Sequence, residues 1–146
     1  MTNDMTARPI LLIEDNPMDV DLTRRAFARR RLVNPLQIAR DGQEALDYLD
    51  RWETGAPLPA VILLDLKLPK VHGLDVLRQI RAHPRCGTVP VVVLTTSAED
   101  SDVQTAYQLG ANSYIVKPVD FEKFVKVAEQ IEVYWNVLNE PPRCPR

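Results

Sequence analysis

Short apolar runs alternate along the chain with longer segments of helical periodicity. The runs predict β-strands at about residues 9–13, 36–40, 60–65, 89–94 and 113–117. Because most of these runs are continuous rather than alternating, they are typical of strands covered on both faces. The segments between and after them carry apolar residues three and four positions apart, which predicts helices at about 16–31, 41–51, 74–83, 100–109 and 120–139.

Capping and breaking residues set the predicted boundaries of these elements. Asn16 and Pro17 are typical of an N-cap followed by the first helical residue. Gly110 ends the fourth predicted helix, and the prolines at positions 141 and 142 end the last one. The segment from Trp52 to Pro59 is rich in glycine and proline, so a loop is expected there.

Five strands alternating with five helices predict an α/β fold. Such a chain forms a doubly wound parallel sheet with right-handed crossovers and helices on both faces. The flavodoxin-like strand order 2-1-3-4-5 is the common solution, and its crevice lies between the C-terminal ends of strands one and three. We expect one domain over residues 8–139, with flexible tails at 1–7 and 140–146 and no output domain.

Chemically active side chains follow four of the predicted strands directly. Glu14 and Asp15 follow the first strand, and Asp65 ends the third, where a lone carboxylate has no structural reason to sit. Thr95 follows the fourth strand and Lys117 ends the fifth. Because the carboxyl ends of parallel strands meet at one edge of a sheet, these five residues are predicted to converge on one site.

The residue types at this edge favour magnesium and phosphoryl chemistry. Three carboxylates placed close together repel one another unless a cation intervenes. Oxygen ligands without histidine or cysteine favour Mg²⁺. Asp65 is then a plausible nucleophile that forms an aspartyl phosphate, Lys117 pairs with phosphate oxygens, and Thr95 donates a hydrogen bond.

Composition narrows the classes of function. The chain has 146 residues, 45% hydrophobic residues and a net charge of −2, which argues against nucleic acid as a partner. No apolar run has the roughly 20 residues of a membrane span, and the N-terminus has no hydrophobic signal region. Cys86 and Cys144 lie far apart without companion ligands, so free thiols and a cytoplasmic location are expected.

Four segments together resemble the signature segments of CheY-like receiver domains of two-component response regulators. They are residues 13–16 (IEDN), 64–73 (LDLKLPKVHG), 93–96 (VLTT) and 116–118 (VKP). Within that family, residues 16–20, the loop before the third strand, 94–97 and 131–135 resemble single-domain regulators that are paired with phytochrome histidine kinases.

The resemblance implies a role for each of the three carboxylates, Glu14, Asp15 and Asp65, which together are called the acidic group. Asp65 matches the position that is phosphorylated by a phosphohistidine on the partner kinase. Glu14 and Asp15 match the acidic pair that holds Mg²⁺, and Asp65 with the backbone carbonyl of Lys67 would complete the protein ligands.

The resemblance also implies a switch. Thr95 matches the hydroxyl that moves toward the phosphoryl group, and Tyr114 matches the aromatic residue that rotates into the space Thr95 leaves. Lys117 matches the lysine that pairs with phosphate, and the bond before Pro118 is often cis in the family. The resemblance therefore predicts a phosphorylation-controlled interaction module, which is not an enzyme beyond assisting its own phosphorylation and dephosphorylation.

Other functions remain open at this point. The chain could be a phosphorelay shuttle or a receiver-like scaffold that is never phosphorylated. A phosphatase of the haloacid-dehalogenase type needs a second aspartate two residues after the nucleophile, where Lys67 stands. A flavin or nucleotide binder needs a glycine-rich phosphate loop, which the sequence lacks.

Two helices have unusual surfaces. The first predicted helix is rich in arginine, and this face is either solvated or docks onto an acidic kinase surface; the residues are Arg24, Arg25, Arg29, Arg30 and Arg31. The last predicted helix has more apolar residues than one buried stripe needs. We expect homodimerisation through this helix, with Tyr134 and Trp135 in the interface.

Overall fold

The computed structural model describes residues 8–32, 34–85, 87–117 and 120–137, the last five without their side chains. Five strands and five helices alternate along them. They are β1 (Ile10–Ile13), α1 (Pro17–Arg29), β2 (Leu36–Ala39), α2 (Gly42–Glu53), β3 (Val61–Leu64), α3 (Gly73–Arg81), β4 (Val91–Thr95), α4 (Asp100–Gln108), β5 (Ser113–Val116) and α5 (Phe121–Val137).

The strands form one parallel sheet in the order β2-β1-β3-β4-β5, so the predicted fold is confirmed. The register decides where the strands end relative to one another. Leu64 pairs with Ile13 on one side and with Val93 on the other. The residues that follow Ile13 and Leu64 therefore leave the sheet side by side, at the crevice between β1 and β3.

Helices cover both faces of the sheet because side chains of a strand alternate between its faces. Leu11 and Ile13 of β1 point into a buried cluster with residues of α2, α3 and α4. Ile10 and Leu12 point into a second cluster with residues of α1 and α5. This double burial explains why β1, β3 and β4 are nearly continuous apolar runs in the sequence.

The predicted N-cap of α1 is present, whereas the predicted end of α2 is wrong. Asn16 Oδ1 accepts a hydrogen bond from the backbone N–H of Met18 at 2.9 Å, at the start of α1. The loop expected from Trp52 onward begins later, because α2 continues to Glu53. Trp52 belongs to the buried face of α2, and its ring and that of His83 form a T-shaped pair with 6.0 Å between centroids. The helical spacing of Trp52 from Ala45 and Leu49 therefore decides where α2 ends, despite the nearby glycine and prolines.

The arginines of α1 are largely engaged within the molecule. Arg25 pairs with Asp21 on the same helix at 2.9 Å. Arg30 joins α1 to α5 through Glu132 at 2.8 Å, and the carboxylates of α5 raise the pKa of Arg30 further, the hydrogen bond with Glu132 first among them. Arg24 and Arg31 are exposed.

The apolar face of α5 is buried as far as its side chains are described. Phe124, Val127, Ala128 and Ile131 pack in the cluster shared with α1. The side chains of Tyr134 and Trp135 and the peptide bond before Pro118 lie outside the described residues. Within the described ranges, no helix is long and apolar enough to cross a membrane.

Candidate functional site

The structure brings three carboxylates together at the ends of β1 and β3. The backbone N–H of Asp65 donates to the carbonyl of Ile13 at 3.0 Å, which continues the sheet ladder by one step and holds Asp65 beside Glu14. Glu14, Asp15 and Asp65 each offer an oxygen, and these oxygens lie within 4.8 Å of one another. Glu14 and Asp65 are buried, while Asp15 is exposed to solvent.

Lys117 joins this group from the end of β5. Its backbone N–H donates to the carbonyl of Thr95 at 2.6 Å, so the lysine leaves the sheet next to β4. Its ammonium nitrogen donates to Glu14 at 2.8 Å, to Asp19 at 2.8 Å and to Asp65 at 3.1 Å. The side chain is only 6% exposed, so these contacts are largely shielded from water.

The pKa values of Glu14 and Lys117 are both raised, but for different reasons. Burial raises the pKa of Glu14 to about 7, although the ammonium of Lys117 and the N–H of Asn16 oppose the shift and the charge of Asp65 adds to it. Burial alone would lower the pKa of Lys117. The hydrogen bonds to Asp19 and Glu14 and the surrounding negative charge outweigh that effect, so the pKa of Lys117 is raised.

The acidic group suits a divalent cation. Its donors are all carboxylate oxygens, which hard cations prefer. A cation here would also relieve the repulsion that helps to raise the pKa of Glu14. Asp15, which is exposed, leaves an open side toward solvent for water ligands or for an incoming phosphoryl group.

The loop after β3 holds the carboxylate of Asp65 in place. The backbone N–H of Lys67 donates to Asp65 Oδ1 at 3.1 Å, while Lys117 takes Oδ2. Gly73, the first residue of α3, lies so close that a Cβ atom there would sit 2.6 Å from the carbonyl oxygen of Asp65. The predicted metal ligand role of the Lys67 carbonyl remains a prediction.

Thr95 and Tyr114 lie on neighbouring strands beside this group. Thr95 is fully buried at the end of β4, where it pairs with Val116 of β5. Tyr114 is half-buried, and its hydroxyl donates to the backbone carbonyl of Ser97 at 2.8 Å. Burial raises the pKa of Tyr114, so the phenol stays protonated and remains a donor.

Two residues of this arrangement escaped the sequence interpretation. Asp19 lies in the first turn of α1 and contacts Lys117, but an acidic residue in a first turn is also typical of any helix. Ser97 is buried, and its hydroxyl donates to Asp102 at 2.6 Å. The position of Asp19, one helical turn after the N-cap Asn16, was the signal that could have indicated its place near the site. No local sequence pattern indicated a role for Ser97.

Comparison with known proteins agrees with this geometry. A family model described as the response regulator receiver domain matches residues 10–129. The probable methanogenesis regulatory protein FilR2 of Methanothrix harundinacea is 46% identical over 134 residues, which cover 91% of this chain and 86% of that protein.

Two solved structures are also similar. The phosphorylated cyanobacterial phytochrome response regulator RcpA is 35% identical, with a TM-score of 0.81, and the match covers 95% of this chain and 99% of that one. The Mn²⁺-bound form of response regulator Rcp1, a protein of Synechocystis, is 36% identical with a TM-score of 0.81, covering 92% and 99%. The chain belongs to the response regulator receiver domain family.

Proposed function

We propose that Asp65 accepts a phosphoryl group from a phosphohistidine of a histidine kinase. The observation that carries the proposal is the position of its carboxylate. Asp65 lies at the crevice end of β3, within 4.8 Å of the oxygens of Glu14 and Asp15 and 3.1 Å from the ammonium of Lys117. The Asp65 carboxylate thus faces a candidate cation site beside Glu14 and Asp15 and also contacts the ammonium of Lys117.

The transfer balances without a further reactant. An oxygen of the Asp65 carboxylate bonds to phosphorus and the bond from phosphorus to the histidine nitrogen breaks. The imidazole, which is protonated on its other ring nitrogen, leaves with the electron pair as a neutral ring. In hydrolysis a water oxygen bonds to phosphorus, the Asp65 oxygen leaves as carboxylate, and the water's two protons leave with the inorganic phosphate. The chain thereby assists only its own phosphorylation and dephosphorylation.

The residues of the site neutralise and orient charge during this transfer. Glu14, Asp15 and Asp65 would hold Mg²⁺, which supplies positive charge to the phosphoryl oxygens when bound. The ammonium of Lys117 is already 3.1 Å from Asp65 Oδ2, so a small displacement brings it to a phosphoryl oxygen. The Mn²⁺-bound form of Rcp1 supports a divalent cation in a protein of this family.

A phosphoryl group on Asp65 would change the surface through Thr95 and Tyr114. The hydroxyl of Thr95 moves to the phosphoryl oxygen and vacates space beside β5. Tyr114 then leaves the carbonyl of Ser97, which frees the segment before α4. The surface formed by α4, β5 and α5 is therefore the proposed readout.

The test is phosphorylation by acetyl phosphate followed by intact-mass measurement. Wild type should gain one phosphoryl group with Mg²⁺ present and none with chelator, and Asp65→Asn should gain none. Asp50→Asn is the matched control, because Asp50 is exposed on α2 and should not affect labelling. Equal labelling of Asp65→Asn and wild type would overturn the proposal.

The proposed donor is a phytochrome histidine kinase. The similarity to RcpA, described as a phytochrome response regulator, supports this choice. The chain is also similar to FilR2, which is described as a probable methanogenesis regulatory protein and so belongs to a different process. Phosphotransfer from several purified kinases separates the two, since only the cognate donor should label the chain within seconds to minutes. Labelling by other kinases alone would refute the pairing.

We also propose homodimerisation through α5. Its buried face is occupied by the contacts with α1. Residues 133–138, which are apolar except for Asn136, follow these contacts in the sequence. Sedimentation of wild type and of a variant combining Tyr134→Ala with Trp135→Ala tests this proposal. A wild type that stays monomeric at tens of micromolar, with or without phosphorylation, would contradict it.

A further inference from the structure

We propose that Asp19 is a positioning residue that holds the ammonium of Lys117 over Asp65 throughout the phosphorylation cycle. This inference rests on the proposed function of Asp65. It adds a fourth carboxylate to the site, with a task different from that of the three acids at the strand ends.

The geometry gives Lys117 three partners for its three N–H donors. Glu14 and Asp19 each accept at 2.8 Å, and Asp65 accepts at 3.1 Å. A lysine side chain has four rotatable bonds and a compact charge, so its head is fixed only by such contacts. With all three donors engaged, the ammonium has one defined position.

Two of these three partners have a second task. Glu14 and Asp65 belong with Asp15 to the carboxylate group that suits a metal ion, and Asp65 also takes the phosphoryl group. Asp19 does not belong to that group among the described residues. When Glu14 and Asp65 bind a cation or Asp65 carries a phosphoryl group, their hydrogen bonds to Lys117 weaken. Asp19 is then the partner that stays with Lys117.

A purely structural role for Asp19 would look different. Acidic residues in the first turn of a helix are stabilised by the helix dipole and need no further partner. Asp21, on the same helix beyond its first turn, is a surface residue, because its side chain is 59% exposed and pairs with the exposed Arg25 one turn away. The side chain of Asp19 is only 17% exposed and turns to Lys117, which lies 98 positions away in the chain.

The test is a double-mutant cycle on the rate of Asp65 phosphorylation by acetyl phosphate at saturating Mg²⁺. The variants are Asp19→Ala, Lys117→Ala and the combination of both. We expect Asp19→Ala to slow phosphorylation about ten- to a hundredfold, the loss typical of a misplaced catalytic group. In the Lys117→Ala background the same substitution should have less than about a twofold effect, because its target is gone.

Three further measurements separate positioning from folding and from charge. Asp19→Glu should restore part of the rate, whereas the nearly isosteric Asp19→Asn, which tests the site if Asp19→Ala fails to fold, should remain slow. Asp21→Asn removes an equal charge from the same helix and should phosphorylate like wild type. The dissociation constant for Mg²⁺ should change less than threefold in Asp19→Asn, since Asp19 lies outside the carboxylate group that suits the metal.

Each outcome decides the proposal. Equal losses for Asp19→Ala in the wild-type and Lys117→Ala backgrounds would overturn it, because Asp19 would then act independently of Lys117. An unchanged or increased rate in a folded Asp19→Asn would also overturn it. A wild type that takes no phosphoryl group refutes the proposed function of Asp65 instead, so the two failures are distinguishable.

Discussion

The hydroxyl of Tyr114 donates a hydrogen bond of 2.8 Å to the backbone carbonyl of Ser97. This contact joins the edge strand β5 to the segment that leads from β4 into α4. The hydroxyl of Ser97 in turn donates to Asp102 in the first turn of α4. Tyr114 is thus linked to the start of α4 through Ser97. A movement of Tyr114 in the proposed switch would therefore change the contacts of α4.

Tyr114→Phe removes only the hydroxyl and tests this path. The carbonyl of Ser97 loses its donor, so the free energy of unfolding should fall by about 1 kcal/mol. Amide hydrogen exchange should become faster around Ser97 and Glu99. Tyr107→Phe is the control, because Tyr107 is exposed on α4 and should change neither quantity. Identical exchange in the two variants would contradict the link.

The buried Glu14 predicts an unusual pH dependence of stability without metal. Its carboxyl has an ordinary pKa of 4.5 when unfolded and a pKa of about 7 when folded, so the folded state alone keeps the proton between these values. Since the folded state binds more protons in this window, stability is full below it and falls as the pH rises through it. The loss is at most about 3 kcal/mol.

Chemical denaturation in chelator at several pH values measures this effect, with Glu14→Gln as the reference. Wild type should lose stability relative to the variant between a pH of about 4.5 and about 7. Added Mg²⁺ should reduce the loss, because a bound cation favours the ionised carboxylate. Parallel pH profiles of the two proteins in chelator would disprove the assignment.

Gly73→Ala should disturb the site through the backbone. Its new Cβ would meet the Asp65 carbonyl at 2.6 Å and also Leu66, so the loop that carries Asp65 must move. We expect a loss of about 1–3 kcal/mol in stability and weaker binding of divalent cations. Gly55→Ala is the comparison, since its φ of +112° makes it strained but open space surrounds it. It should lower stability and leave cation affinity unchanged in isothermal titration.

Arg81 should be the most costly of the arginines of α3 to replace. Its guanidinium donates to the carbonyls of Gly87, Val89 and Gly110, and so fastens α3 to the segments that precede β4 and β5. Arg81→Lys cannot reproduce this fork, and we expect a loss of about 2 kcal/mol or more. Arg78→Lys should change stability by less than about 0.5 kcal/mol, because Arg78 is exposed. Equal losses in denaturation would contradict this role.

Much of the fold was predictable from local patterns. Continuous apolar runs identified β1, β3 and β4, because a strand buried on both faces needs apolar residues at every position. The edge strands β2 and β5 are only partly buried and are marked by shorter runs that include polar residues. Asn16 marked the start of α1 through its capping chemistry. The end of α2 lies beyond its predicted position, because Trp52 continues the helical spacing of Ala45 and Leu49 despite the glycine and prolines that follow it.

The chemical inventory of the site was also readable from the chain. Glu14, Asp15, Asp65 and Lys117 follow strands directly, and a parallel sheet brings such residues to one edge whatever the helices between them contain. The sequence alone therefore determined the strand order, the edge that carries the site and the residue types that meet there.

Only the tertiary structure decided how these side chains are paired. The ammonium of Lys117 has reach enough for several carboxylates, and its choice of Asp19 depends on the angle at which α1 leaves β1. The link from Tyr114 to Ser97 depends in the same way on the path of the segment after β4. Such contacts join residues far apart in the chain through three-dimensional packing, for which local sequence patterns carry no information.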